Sequence, residues 1–294
     1  MSDQTSVETE QALYLLGFSE SSPVAEDVVS CSPLLGSDHE NEQTVKQMLE
    51  QYGIEFLDSG TVRAWYKLID RDQFEGDVGE RNLSDIEWLT PRVIAHETVV
   101  SILSNRSAFY PSRFGTLFST HQKLSCFASG VSDQLSFYFE NMAGRCEWGV
   151  KFFANMAMGT EILARKNGMV EDGKPTGGAS YLKLRSMQRD RTLATRSMFG
   201  DSCSEAITAL QGTFADVAAR PLRSHSSEAS SEELLGHMAV LVGKSESDQL
   251  TQWGNEWNQN HFPLTGLRVE LLGPWPTYSF CPVLVPKDEI ARAA

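Results

Sequence analysis

Near its C-terminal end the chain runs Leu267-Arg268-Val269-Glu270-Leu271-Leu272 and then Gly273-Pro274-Trp275-Pro276-Thr277-Tyr278-Ser279-Phe280. The alternation of the first six residues predicts a strand. The two prolines that follow predict its end, because each lacks a ladder donor and fixes its own φ. A strand closed by a rigid segment carrying Trp275, Tyr278 and Phe280 has two readings. The rings either cap a sheet edge or present a docking surface, since rigid aromatics lose little entropy on binding.

The rest of the chain must supply the sheet. At 294 residues it is long for one core, and two domains are expected. The formal net charge of −14 argues against a nucleic-acid binder, which needs a basic face for phosphates. It favours solubility instead. Residues 1–11 lack the basic and apolar regions of a signal peptide, and no apolar run approaches spanning length, so a cytoplasmic protein without membrane insertion is expected. The cysteines at positions 31, 126, 146, 203 and 281 form no C-x-x-C pair. They are expected to be reduced core residues and not a zinc site.

Apolar periodicity predicts a strand over 12–18, a helix over 44–52 with Val45, Met48, Leu49 and Tyr52 on one face, and a hairpin over 54–69 turning at Asp58-Ser59-Gly60. Ser84 and Glu87 have capping-box spacing, and Thr90-Pro91 looks like a cap followed by proline at the first helical position. A helix through Leu103 and a strand over 109–118 follow. Strand, helix, strand, strand, helix, strand is the ferredoxin-like βαββαβ order. The predicted fold is therefore α+β in two domains. Residues 1–118 form the ferredoxin-like domain and 119–280 an α+β domain with long helices and an aromatic C-terminal tail, while 281–294 trail off extended. In the second domain helices are predicted over 124–142, 154–166, 179–219 and 245–261, with strands over 145–153 and 238–242. Residues 171–178 and 222–232 read as loops.

Several patterns resemble chemical motifs without completing them. Gly168 to Lys174 has the spacing G-x-x-x-x-G-K, but Pro175 stands where a magnesium-binding hydroxyl belongs, and Glu171 and Asp172 would repel phosphate. A nucleotide- or ligand-binding enzyme using the Gly173-Lys174 loop is the rival reading, and a thermal shift with ATP and Mg²⁺ tests it. His96-Glu97 begins like a zincin helix, yet Val100 occupies the second histidine position. His96 is thus expected to be packed. No G-x-S-x-G elbow is present. Neither a catalytic group nor a cofactor is predicted. Glu232 and Glu233 read as solvated.

Lys183, Arg185, Arg189, Arg191 and Arg196 form the one basic stretch, opposed only by Asp190. It is either a solvated helix face or a contact for an acidic partner. Arg113 is either an interface residue or a buried arginine paired with Glu97 or Glu147, the second being preferred. Gly115 after Arg113-Phe114 suggests a bulge or close backbone approach. Trp148, Trp253 and Trp257 are expected in a core.

Together, Ala95-His96-Glu97-Thr98-Val99-Val100, Pro111-Ser112-Arg113-Phe114-Gly115-Thr116, Glu147-Trp148-Gly149-Val150-Lys151 and the closing Gly-Pro-Trp-Pro-x-Tyr-Ser-Phe resemble, in that order, the GvpF/GvpL family of gas vesicle proteins. Arg92 fits the same pattern, and a looser match covers Tyr14 to Gly17. The resemblance spans roughly Leu83 to Phe280. Residues 20–77 match poorly, and Gly236-His237-Met238-Ala239 stands where the family carries a longer apolar run. The resemblance implies a non-enzymatic accessory or assembly protein located at the gas vesicle. It would bind the small hydrophobic shell subunit (GvpA-like) and other accessory proteins, with Trp275, Tyr278, Phe280, Arg113, Lys183, Arg185 and Arg189 as candidate contacts.

Overall fold

The computed structural model describes residues 10–21, 46–47, 49–168, 178–214, 218–222 and 232–287. The fold mixes helices and strands and divides into two compact units. The first joins the chain up to Arg145 with the chain from Pro276 on; the second is Cys146–Trp275. The break thus falls at 145/146 and not at 118/119, and the segment after Trp275 belongs with the first unit.

In the first unit the sheet runs β2-β3-β1-β4, with β5 also paired to β1. The strands are β1 (Gln11–Glu20), β2 (Ile54–Ser59), β3 (Val62–Asp70), β4 (Phe109–Pro111) and β5 (Leu117–Phe118). Strand β1 pairs antiparallel with β3, β4 and β5, and β2 pairs antiparallel with β3. Helix α1 is Gly76–Ser84, α2 is Ile86–Arg106, α3 is His121–Gly130 and α4 is Ser132–Met142. Every residue of β1 from Ala12 to Ser19 is buried and only its ends, Gln11 and Glu20, are exposed, because helices cover both faces. Tyr14 and Leu16 pack with Val99, Val100 and Leu103 of α2. Leu13 and Leu15 pack with Leu124, Leu135 and Phe139 of α3 and α4. A strand covered on both faces reads as a continuous apolar run, as this one does. The register with β3 slips between Leu15 and Gly17. The extra residue reverses the alternation, so Phe18 joins the α3/α4 side where a regular strand would face α2.

Three local expectations change. Helix α2 begins at Ile86, capped by the Asp85 side chain accepting from the Glu87 amide. Ser84 instead ends α1, and Pro91 lies inside α2. Helix α1 is not anticipated by the sequence, because Val78 and Leu83 are its only large apolar side chains, and both are exposed. The predicted strand over 109–118 splits into β4 and β5, with Ser112-Arg113-Phe114-Gly115-Thr116 between them as a loop. Gly115 has φ +82°, which favours glycine. Of the predicted 44–52 helix, residues 46–47 and 49–51 are helical, and Leu49 and Tyr52 pack on the α2-side core. Val45 and Met48 lie outside the described residues.

The second unit holds the sheet β7-β8-β6-β9. Its strands are β6 (Arg145–Ala154, reaching back to the unit boundary), β7 (Ala218–Leu222), β8 (Glu233–Gly243) and β9 (Leu267–Trp275). Its helices are α5 (Met156–Lys166), α6 (Gly178–Thr213) and α7 (Ser247–Thr265). One core gathers Trp148, Val150 and Phe152 of β6, Phe199 and Leu210 of α6, and Leu250 and Trp257 of α7. Trp253 packs against it in part. The helix predicted to continue to 219 stops at Thr213, and β7 follows. Strand β9 does not stop at the first proline. It reaches Trp275, which pairs with Glu147, and the register shifts between Glu147 and Gly149. On an edge strand, at an irregularity, a missing ladder donor is tolerated. Glu232 and Glu233 are not free carboxylates, since they pair with Arg268 and Arg196 at 2.8 and 3.0 Å. None of the described cysteines is in a disulfide, and Cys126 is exposed instead of lying in a core. Cys31 lies outside the described residues.

Candidate functional site

Three of the sequence segments singled out above converge in the first unit. Tyr14 on β1 lies 2.8 Å, Oη to Nδ1, from His96 on α2. The Gly115 amide donates to the same Tyr14 oxygen at 3.4 Å. Burial drives the His96 pKa down to about 4, with the positive Lys67 adding to the effect and the Ser112 backbone opposing it. The ring is therefore neutral near pH 7. With Tyr14 donating to Nδ1, the imidazole proton sits on Nε2, which is buried and closes no hydrogen bond of ordinary geometry. Phe114 packs edge-on against both Tyr14 and His96, with centroids 5.8 and 5.7 Å away. The loop after β4 is thus fastened to β1 and α2 by one hydroxyl and one ring.

Tyr278 reaches the same place from the C-terminal segment. It packs on the core around Tyr14 and Leu16, and its hydroxyl is buried without a hydrogen bond of ordinary geometry. Burial first, and then the neighbouring Glu97 carboxylate, push its pKa up. Burial likewise raises the Glu97 carboxyl, and Tyr278 partly offsets this. Lys67 lies 5.0 Å over the Tyr14 ring, its pKa lowered by burial and then by Arg92. A buried imidazole and phenols that resist ionisation suit a fastening that holds segments together.

Beside this cluster lies a cleft of about 420 Å³. Leu15, Phe18, Phe118 and Phe127 supply apolar lining, and the Tyr110–Arg113 stretch and Cys281–Leu284 also border it. Burial, then Cys281, raises the Tyr110 pKa to about 12, against the opposing charge of Arg113. Arg113 itself is exposed. It is not the buried arginine expected, and among the described residues of the first unit it forms no ion pair with Glu97. The segment from Pro276 to Lys287 is held by Thr277, whose hydroxyl bonds to Tyr138 of α4, and by Phe280, buried at 7 % exposure.

The candidate contact residues therefore separate. Tyr278 and Phe280 are packed inward, Trp275 is 48 % exposed, and Arg113 stands at the cleft. Arg185 and Arg189 are exposed on α6 in the second unit. Lys183 lies on the same helix, but its side chain is outside the described residues, as are Gly173 and Lys174. Arg191 has a buried Nε without a partner. Sequence reasoning missed Tyr138 and Gln134, which hold the C-terminal segment through one hydroxyl and one side-chain amide on α4, a pattern with no spacing of its own. Among the described residues there is no group of histidine, cysteine and carboxylate side chains placed to hold a metal, and no helix is long and apolar enough to cross a membrane.

The chain is similar to known proteins. A curated relative, gas vesicle protein L from Streptomyces sp. (strain CB03234), is 28 % identical over 205 residues, covering 67 % of this chain and 71 % of the relative. The crystal structure of the gas vesicle protein GvpF from Anabaena sp. PCC7120 is similar with a TM-score of 0.57 at 16 % identity, covering 94 % of this chain and 98 % of that one. GvpF from Microcystis aeruginosa is similar with a TM-score of 0.55 at 15 % identity, over 92 % and 99 % of the two chains. Residues 31–282 match the family described as "Gas vesicle synthesis protein GvpL/GvpF", and the chain belongs to that family.

Proposed function

We propose that this protein is a non-enzymatic accessory factor in gas vesicle formation, and that the cleft beside Arg113 receives the small hydrophobic shell subunit. Membership of the GvpL/GvpF family supports the role in gas vesicle formation. The observation that carries the contact is the cleft itself, in which phenylalanine and leucine side chains line a cavity beside an exposed guanidinium. Such a combination fits an apolar segment that also carries a carboxylate. Exposed Trp275 would offer a second contact, and Arg185 and Arg189 a further one toward an acidic accessory protein. The net charge of −14 keeps a protein that handles apolar subunits soluble. We also read the first unit as ferredoxin-like, supported by its strand order β2-β3-β1-β4.

Co-expression with a shell subunit and affinity capture at moderate salt tests the contact. Arg113→Glu should reduce retention of the subunit roughly tenfold, the effect of losing one charge-assisted contact, while leaving the melting temperature unchanged. Undiminished retention would remove Arg113 and its cleft from the interface.

A further inference from the structure

The segment Cys281–Lys287 lies across the first unit as a strap, and the way it is held differs from the way the preceding residues are held. Thr277, Tyr278 and Phe280 are fixed by burial. Beyond them, apart from the Cys281 thiol near the Tyr138 hydroxyl and the Thr277 carbonyl, the polar fastenings are exposed. Tyr110 Oη donates to the Pro282 carbonyl at 2.8 Å. The Gln134 amide grips Val285 at both ends, Nε2 donating to its carbonyl at 2.6 Å and Oε1 accepting from its amide at 3.2 Å. Lys287 pairs with Asp133 at 2.8 Å, both side chains exposed. Only Cys281 and Leu284 pack on the α3/α4 core, while Val283 between them is 80 % exposed. Pro286 closes over Gly130, where an added Cβ would lie 3.2 Å from the proline Cβ.

The grip on Val285 reads backbone, not side chain, and therefore does not depend on sequence. Specificity lies in the two apolar seats three residues apart, the glycine floor under a proline, and the carboxylate of Asp133 at the end. This is the recognition pattern of an extended, proline-containing segment. We infer that this groove is a receptor for an extended segment of a partner protein, with apolar side chains three residues apart and a basic residue shortly after, and that the chain's own Cys281–Lys287 occupies it until displaced. The strap also borders the cleft proposed above for the shell subunit, so its displacement would widen that cleft. The inference rests on the cleft being a docking site only for this last consequence.

The test uses the full-length chain and, as probe, a fluorescent peptide with the sequence of Cys281–Lys287. Leu284→Ser with Pro286→Ser and Lys287→Glu weakens the resident strap and leaves the groove intact. This variant should bind the peptide roughly tenfold or more tightly than wild type, because the intramolecular competitor is lost. Adding Gln134→Ala or Gly130→Val should abolish the gain. Amide exchange at Val285, whose N–H donates to Gln134 Oε1, reports whether the strap has lifted. A lifted strap without tighter peptide binding would overturn the inference, as would a strap that stays protected in the variant, or binding that survives the groove substitutions. Concentration-dependent dimers in which the strap is exchanged between copies, seen by light scattering, would overturn it in favour of self-association. Because no shell subunit enters this experiment, its failure is distinct from failure of the affinity capture.

Discussion

At the scale of single residues, the hydroxyl of Tyr14 and the Nδ1 of His96 matter because both are buried and each satisfies the other. Tyr14→Phe removes one partner and leaves buried Nδ1 without a donor. The expected loss is about 1–3 kcal/mol in urea unfolding, and wild-type stability would mean the bond contributes nothing. Protonation of His96 gives a second expectation. Its folded pKa of about 4 lies below the ordinary value of 6.5, so between these values the unfolded chain binds more protons than the folded one. Stability contributed by the neutral ring is present above about pH 6.5 and is lost as pH falls toward 4, by roughly 3 kcal/mol at most. Glu97, whose carboxyl is raised, acts in the opposite sense as pH rises past its unfolded value. The informative quantity is therefore the wild-type slope minus that of His96→Gln, and equal slopes would exclude the ring. The closing aromatics should also divide. Phe280→Ala is expected to lower stability by about 3–5 kcal/mol through a core cavity. Trp275→Ala should leave the melting temperature nearly unchanged and reduce partner retention. A matched loss of stability in both variants would contradict this division.

At the scale of elements, two devices decide how the strands are joined. A Cβ at Gly17 would meet the Tyr110 carbonyl at 2.3 Å and the Phe109 ring at 2.5 Å, so β1 and β4 can pair only with glycine there. Gly17→Ala should cost about 1–3 kcal/mol or more as β4 is forced away. Loss of amide-exchange protection confined at first to 109–112 would identify the cause, whereas undisturbed protection there would refute it. In the second unit, Asn258 of α7 bonds both the amide and the carbonyl of Val269, each at 2.8 Å. It thereby occupies backbone groups on the outer side of edge strand β9, which would otherwise invite pairing with another chain. The existence of most elements was legible in the sequence, because β1, β6, α2 and α7 carry long apolar patterns. Their ends were not. The Asp85 cap acts through one oxygen, and α1 and β7 are short and carry too few large apolar residues to stand out from the surrounding loops.

At the scale of the whole molecule, the chain leaves the first unit at Arg145 and comes back to it at Pro276. Deleting residues 277–294 should therefore lower exchange protection of β1 and β4, which lie in the unit where Thr277 and Phe280 are buried and Tyr278 is partly so, while β6 and β8 keep theirs. Loss of protection in β6 and β8 first would reverse this assignment. The sequence by itself determined the α+β class, the apolar strands and helices, and the family, because periodicity and ordered motifs are properties of neighbours along the chain. It did not determine that Tyr14, His96, Gly115 and Tyr278 meet, that Arg113 faces outward, or that the last aromatic residues pack inward and leave Trp275 exposed. Those outcomes depend on burial and hydrogen bonding between segments up to 264 positions apart, from Tyr14 to Tyr278, and only the tertiary structure brings such segments into contact.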